Sequence, residues 1–113
     1  MIYKVAICDD EINQCAVLEK IIIEYFNNRA EKCEVEVWYD SMSLCRDIKE
    51  FNPQILFLDI ELPGDNGVYA GKYIRETLHN DRMNIVFISH KTSYAMELFQ
   101  NSSIWFPYKT DRW

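Results

Sequence analysis

The feature that most narrows the fold is an alternation. Along the chain, short apolar runs take turns with segments of helical spacing. Ile2 to Cys8 (IYKVAIC), Ile55 to Ile60 (ILFLDI) and Asn84 to Ile88 (NIVFI) are near-continuous apolar runs of strand length. Such runs suit strands buried on both faces. Glu34 to Tyr39 (EVEVWY) alternates with period two, as a strand with one polar face does. Between these runs, Glu11 to Asn28 places Ile12, Val17, Ile21 and Tyr25 at helical spacing. Ser41 to Phe51 reads as a short helix, capped by Asp40 or Ser41 and broken at Asn52-Pro53. Pro63-Gly64 and Asn66-Gly67 mark a loop, and Val68 to Leu78 is helical with Ala70, Tyr73, Ile74 and Leu78 on one side. Thr92 to Gln100 is a further helix, and Ile104 to Tyr108 a last strand whose Pro107 confines it to an edge or a strand end. Parallel strands need crossover connections, so this order predicts an α/β fold, a doubly wound parallel sheet with helices on both faces.

Length and charge exclude several classes. At 113 residues, the chain is expected to form one domain over 1–113. Twelve basic against eighteen acidic residues give −6, which opposes binding to nucleic acid by this domain alone. No apolar run reaches the roughly 18 residues of a membrane-spanning helix. The first apolar stretch runs into Asp9, Asp10 and Glu11, unlike a signal peptide. A cytoplasmic protein with no membrane partner is expected. Cys8, Cys15, Cys33 and Cys45 form no C-x-x-C pair, and His79 and His90 are the only histidines, which argues against zinc. Without a secretion signal a disulfide framework is not expected, and Cys8 and Cys15 read as small core residues.

In a parallel α/β sheet, ligands bind outside the carboxyl ends of the strands. Here the first strand ends in Asp9-Asp10, the third in Asp59, the fourth in Ser89, and the fifth runs into Lys109. An acid inside ILFLDI is costly if buried unpaired. Clustered carboxylates repel one another and recruit a cation; Mg²⁺ suits carboxylates, water and a phosphate oxygen. An Asp beside such an ion can accept a phosphoryl group, with Lys109 balancing charge and Ser89 donating to a phosphoryl oxygen.

CDDE at 8–11, LFLDIELPG at 56–64 followed by NG, Ser89 and Lys109 together resemble response-regulator receiver domains. VAICDDE, NGVYAGKYIRE and NIVFISHKTSYAMELF look most like receivers of the LytTR/AgrA type. The resemblance spans Ile2 to Lys109 and implies a CheY-like, flavodoxin-like sheet of order 2-1-3-4-5. It implies Asp59 as phospho-acceptor, Asp10 as direct Mg²⁺ ligand, Asp9 acting through water, and the backbone carbonyl of Glu61 as a third protein ligand. Ser89 matches the switch hydroxyl and Phe106 the switch aromatic. The implied partner is a sensor histidine kinase; the implied output is transcription, through a DNA-binding domain that these 113 residues do not include. Such a protein is a signalling switch more than an enzyme, catalysing only its own phosphorylation and dephosphorylation.

The match departs at the end. The family's Lys-Pro is Lys109-Thr110 here, and a cis bond before a non-proline residue costs about 3–4 kcal/mol. With the fifth helix missing after Tyr108, a homodimer is expected to cover the exposed sheet face. Plainer readings stand beside these: an acidic helix start for Asp9 to Glu11, a helix cap for Ser89, a surface lysine for Lys109, core for Phe106. So do two other functions, a pseudo-receiver acting only as an interaction module and an Asp-dependent phosphotransferase. The latter usually starts from Asp-x-Asp, not from the adjacent pair found here.

Overall fold

A computed structural model describes residues 1–62 and 67–89. Within them the elements are β1 (Ile2–Cys8), α1 (Ile12–Asn28), β2 (Lys32–Trp38), α2 (Ser41–Phe51), β3 (Ile55–Asp59), α3 (Gly67–Lys72) and β4 (Asn84–Ile88). A π-helical turn, Tyr73–Thr77, continues α3. The strands form one sheet in the order β2-β1-β3-β4, all neighbours parallel, which is the flavodoxin-like arrangement. The expected helix at 92–100, the strand at 104–108 with Phe106, Lys109, and the end where a fifth helix was expected to be missing lie outside the described residues.

Strand alternation divides the core between the two faces of the sheet. Val5 and Ile7 of β1 pack with Cys15, Ile22 and Phe26 of α1. Ala6 and Cys8 point the other way, into a cluster with Leu44 and Ile48 of α2, Leu56 and Leu58 of β3, Ala70 of α3 and Ile74 of the π turn. All four cysteines are free, and Cys8 and Cys15 are buried as expected. The helix expected from the apolar spacing is present as α1, but Ile12, Val17, Ile21 and Tyr25 are 66%, 56%, 56% and 52% exposed, and the buried stripe is Cys15, Ile22 and Phe26, with Leu18 packed against it. This helix carries apolar residues on more than one face, so period alone does not select the inward one.

Local chemistry ends the helices. The Asp40 side chain accepts the N–H of Ser43 at 2.8 Å, capping α2. Asn52 closes it in the left-handed region (φ 48°) just before Pro53. After α1, the N–H of Ala30 donates to Asn27 and that of Glu31 to Phe26, a Schellman closure. That motif usually employs glycine, yet Ala30 sits at φ 55°. At the start of the strands, Gln54 ties three together: its side-chain oxygen accepts the Lys4 N–H (2.7 Å), its N–H donates to the Lys4 carbonyl (2.9 Å), and its carbonyl accepts the Asn84 N–H (2.9 Å).

Ala30→Gly is expected to stabilise the fold by about 0.5–1 kcal/mol, because glycine enters this backbone region without the Cβ penalty. Urea unfolding followed by circular dichroism checks it, with a higher midpoint as the expected result.

Candidate functional site

Register builds the site. Cys8 of β1 is paired with Leu58 of β3, so the residues that follow, Asp9 and Asp59, leave neighbouring strands side by side. Both are 1% exposed. Each turns the chain in the same manner: Asp9 Oδ1 accepts the N–H of Glu11 at 2.9 Å, and Asp59 Oδ1 accepts the N–H of Glu61 at 3.0 Å. These are side-chain-to-backbone turns two residues long, which release the chain from the strand into the next loop. Asp10 is exposed at the rim, and carboxylate oxygens of Asp9, Asp10 and Asp59 all lie within 4.8 Å of one another.

Carboxylate oxygens this close could hold a hard dication together with water, and an all-oxygen donor set of two buried acids and one exposed acid is compatible with Mg²⁺. The thiol of Cys15 registers the same field. Burial first, and then the charges of Asp9, Asp10 and Asp59, push its pKa up to about 11. That thiol also donates to the backbone carbonyl of Asp9 at 3.2 Å. On the other side of β1, burial holds the Cys8 thiol well above its ordinary range, and Cys8 donates to the Asp40 carbonyl at 3.5 Å.

Asp9, Asp10 and Asp59, the acids singled out in the sequence, are thus brought together. Glu61 is half-buried, two residues past Asp59, with its N–H on the Asp59 carboxylate. Ser89 is half-buried and directly follows β4, whose last residue, Ile88, pairs with Asp59. Lys109 and Phe106 lie outside the described residues. The sequence marks Cys15 only as a core residue and Gly67 only as part of a turn; both touch main chain at the site. Gly67 is buried, and its N–H donates to the Ile60 carbonyl at 2.9 Å. A small shallow groove of about 240 Å³ flanks Asp9, lined by Gln14, Val17, Leu18, Ile21 and Ile88. A larger cleft of about 640 Å³, between Asn52 and Asn84, lies at the opposite end of the strands and takes no part in this cluster.

The sequence of residues 5–103 matches the family model of the response regulator receiver domain. This chain belongs to that family. It is accordingly a receiver domain of the kind found in two-component signalling, with the expected fold. The receiver is 31% identical over 104 residues to Stress response regulator protein 1 of Candida dubliniensis, covering 90% of this chain and 35% of that one. It is 36% identical over 52 residues to Sensory transduction protein LytT of Oceanobacillus iheyensis, covering 46% of this chain and 21% of that one. The chain therefore spans only about a fifth to a third of the length of these relatives. Among solved structures, it superposes on a LuxR-family two-component response regulator from Aurantimonas with a TM-score of 0.66 at 20% identity, over 91% of this chain and 71% of that one. It also superposes on the response regulator TrrA of Thermotoga maritima, solved in complex with Mg²⁺ and BeF, with a TM-score of 0.62 at 20% identity, over 85% and 76% of the two chains.

Asp59→Asn keeps an oxygen to accept the Glu61 N–H and removes one of three clustered charges. In EDTA at neutral pH it is expected to raise stability by about 1 kcal/mol or more. Paired urea titrations check this; a lower midpoint would mean that the carboxylate makes contacts outweighing the repulsion.

Proposed function

We propose that this receiver takes a phosphoryl group from a sensor histidine kinase onto Asp59 and thereby switches an interaction surface. The observation that carries the reading is the meeting of three carboxylates from two strand ends within 4.8 Å, with Asp59 buried at the end of β3. Asp10 and Asp59 would hold Mg²⁺ directly, with the Glu61 backbone carbonyl, and Asp9 through water. When bound, the ion supplies charge neutralisation for an incoming phosphoryl group.

The chain's own residues then do the following. A carboxylate oxygen of Asp59 attacks phosphorus in line with the phosphorus–nitrogen bond of the kinase's phosphohistidine. The new bond joins that oxygen to phosphorus, and the old one breaks with its electron pair passing to the imidazole, which takes up a proton. Asp9 holds the α1 start through the Glu11 N–H and keeps the cluster's charge high. Ser89, at the end of the neighbouring strand, donates to a phosphoryl oxygen, and Lys109 balances the added charge. The product carries roughly −1.5 to −2 extra charge, enough to pull Ser89 and, with it, the aromatic ring of Phe106.

In this role residues 1–113 act as one receiver domain, a switch whose catalysis is confined to its own phosphorylation and dephosphorylation. The match to LytT supports an output of the LytTR/AgrA type, transcription through a separate DNA-binding domain. Four free thiols fit a reducing, cytoplasmic setting. No described helix is long and apolar enough to cross a membrane.

Incubation with Mg²⁺ and a small-molecule phosphodonor is expected to add one phosphoryl mass to the wild type, none to Asp59→Asn, and less to Asp10→Asn. Intact-protein mass spectrometry reads the result. A wild type that takes up nothing would favour a pseudo-receiver acting only as an interaction module.

A further inference from the structure

Gly67, the first residue of α3, lies with its Cα against the main chain of the acceptor residue. A Cβ at this position would overlap the carbonyl oxygen of Asp59, and would sit 2.8 Å from its carbonyl carbon and 3.0 Å from the Cα of Ile60. The obstacle is backbone, so no side chain can swing aside to relieve it. The same peptides are held from other directions. The Gly67 N–H donates to the Ile60 carbonyl (2.9 Å), the Ile60 N–H donates to the Ile88 carbonyl (3.0 Å), and the Asp59 carboxylate receives the Glu61 N–H (3.0 Å). The helical segment behind Gly67 is itself anchored by Ala70 and Ile74, both fully buried. A side chain at 67 therefore forces the helix start and the peptides that carry the carboxylate apart, and the spacing between them cannot be kept.

Gly71, one turn further along, makes an instructive contrast. It is also buried, but a Cβ there meets the tip of the Phe87 ring at 2.9 Å and a Leu58 methyl at 4.0 Å, both on side chains. The two glycines share a helical segment and a core, and only Gly67 rests on the acceptor backbone.

We propose that Gly67 is a positioning residue for Asp59, its bare Cα setting where the main chain carries the acceptor carboxylate relative to Asp9 and Asp10. The consequence for phosphoryl transfer rests on the function proposed above; the geometric claim does not. Misplacement of a reacting group by about 1 Å can cost on the order of 100-fold in rate, so the effect is large if the methyl shifts the carboxylate.

The test compares wild type, Gly67→Ala and Gly71→Ala, each first checked for folding by urea titration. In metal-free protein, nuclear magnetic resonance reads the Glu61 amide and the Asp59 side-chain carboxyl carbon, which report the 3.0 Å bond between them. Both signals are expected to move in Gly67→Ala and to stay near their wild-type positions in Gly71→Ala. With Mg²⁺ and a small phosphodonor, the phosphorylation rate is expected to fall about 10- to 100-fold in Gly67→Ala and by less than about twofold in Gly71→Ala. Unmoved Asp59 and Glu61 signals in a folded Gly67→Ala protein overturn the proposal, as does an equal loss of rate in both variants. A wild type that accepts no phosphoryl group sinks the functional reading instead, and the metal-free spectra still decide the role of Gly67. Should Gly67→Ala not fold, the wild type is titrated with Mg²⁺. The Gly67 and Glu61 amides are then expected to shift along one saturation curve, and a Gly67 amide that does not respond overturns the proposal.

Discussion

Two buried carboxylates at the ends of adjacent parallel strands are the constraint on which the rest of this structure depends. A buried acid is tolerable only with hydrogen-bond partners. Asp9 and Asp59 meet that need in the same way, by taking the N–H two residues further along. The solution is local, so each acid fixes the turn that follows it. It also brings the two carboxylates together, with Asp10 adding a third from the rim. The sheet supplies the juxtaposition through register alone. Along a strand, residues are spaced about 3.3 Å apart and alternate in face. A one-residue slip between β1 and β3 would separate the acids and turn one of them away.

Much of this was legible in the sequence. The bounds of β1, α2 and β4 come out as the pattern predicts, and of the two cap candidates for α2, Asp40 and Ser41, the structure takes Asp40. Continuous apolar runs can be buried in few ways, and a cap residue acts on its own neighbours. Asp59 stood out because an acid in ILFLDI contradicts the run around it. What the sequence obscured depends on tertiary context. The inward face of α1 could not be chosen when Ile12, Val17, Ile21 and Tyr25 offered a rival stripe to Cys15, Ile22 and Phe26. The pattern at 68–78 reads as one helix, and its inward residues Ala70 and Ile74 are indeed buried. Yet the α-helix stops at Lys72 and a π turn follows. The repeat fixes which side faces the core, and it does not report how the last turn is hydrogen-bonded. The β2 strand begins at Lys32, two residues before its alternation becomes visible, because pairing with β1 extends it to match Ile2 and Tyr3. The role of Gly67 was equally hidden. An Asn-Gly pair announces a turn, and only the fold shows which backbone passes beneath it.

Gln54 stands at the other end of the sheet from the acids. By bonding Lys4 and Asn84 at once, it sets the zero point from which the strands β1, β3 and β4 are counted. Asp59 lies five positions further along, about 16 Å of extended chain. That stretch behaves as a ruler with one end clamped. Residues added before Gln54, at the exposed Asn52 of the connection from α2, lengthen that connection and leave the ruler unchanged. A single residue added or lost after it shifts Asp59 by one pitch and reverses its face. Drift in chain length across related sequences should therefore accumulate on one side of this glutamine and be absent on the other.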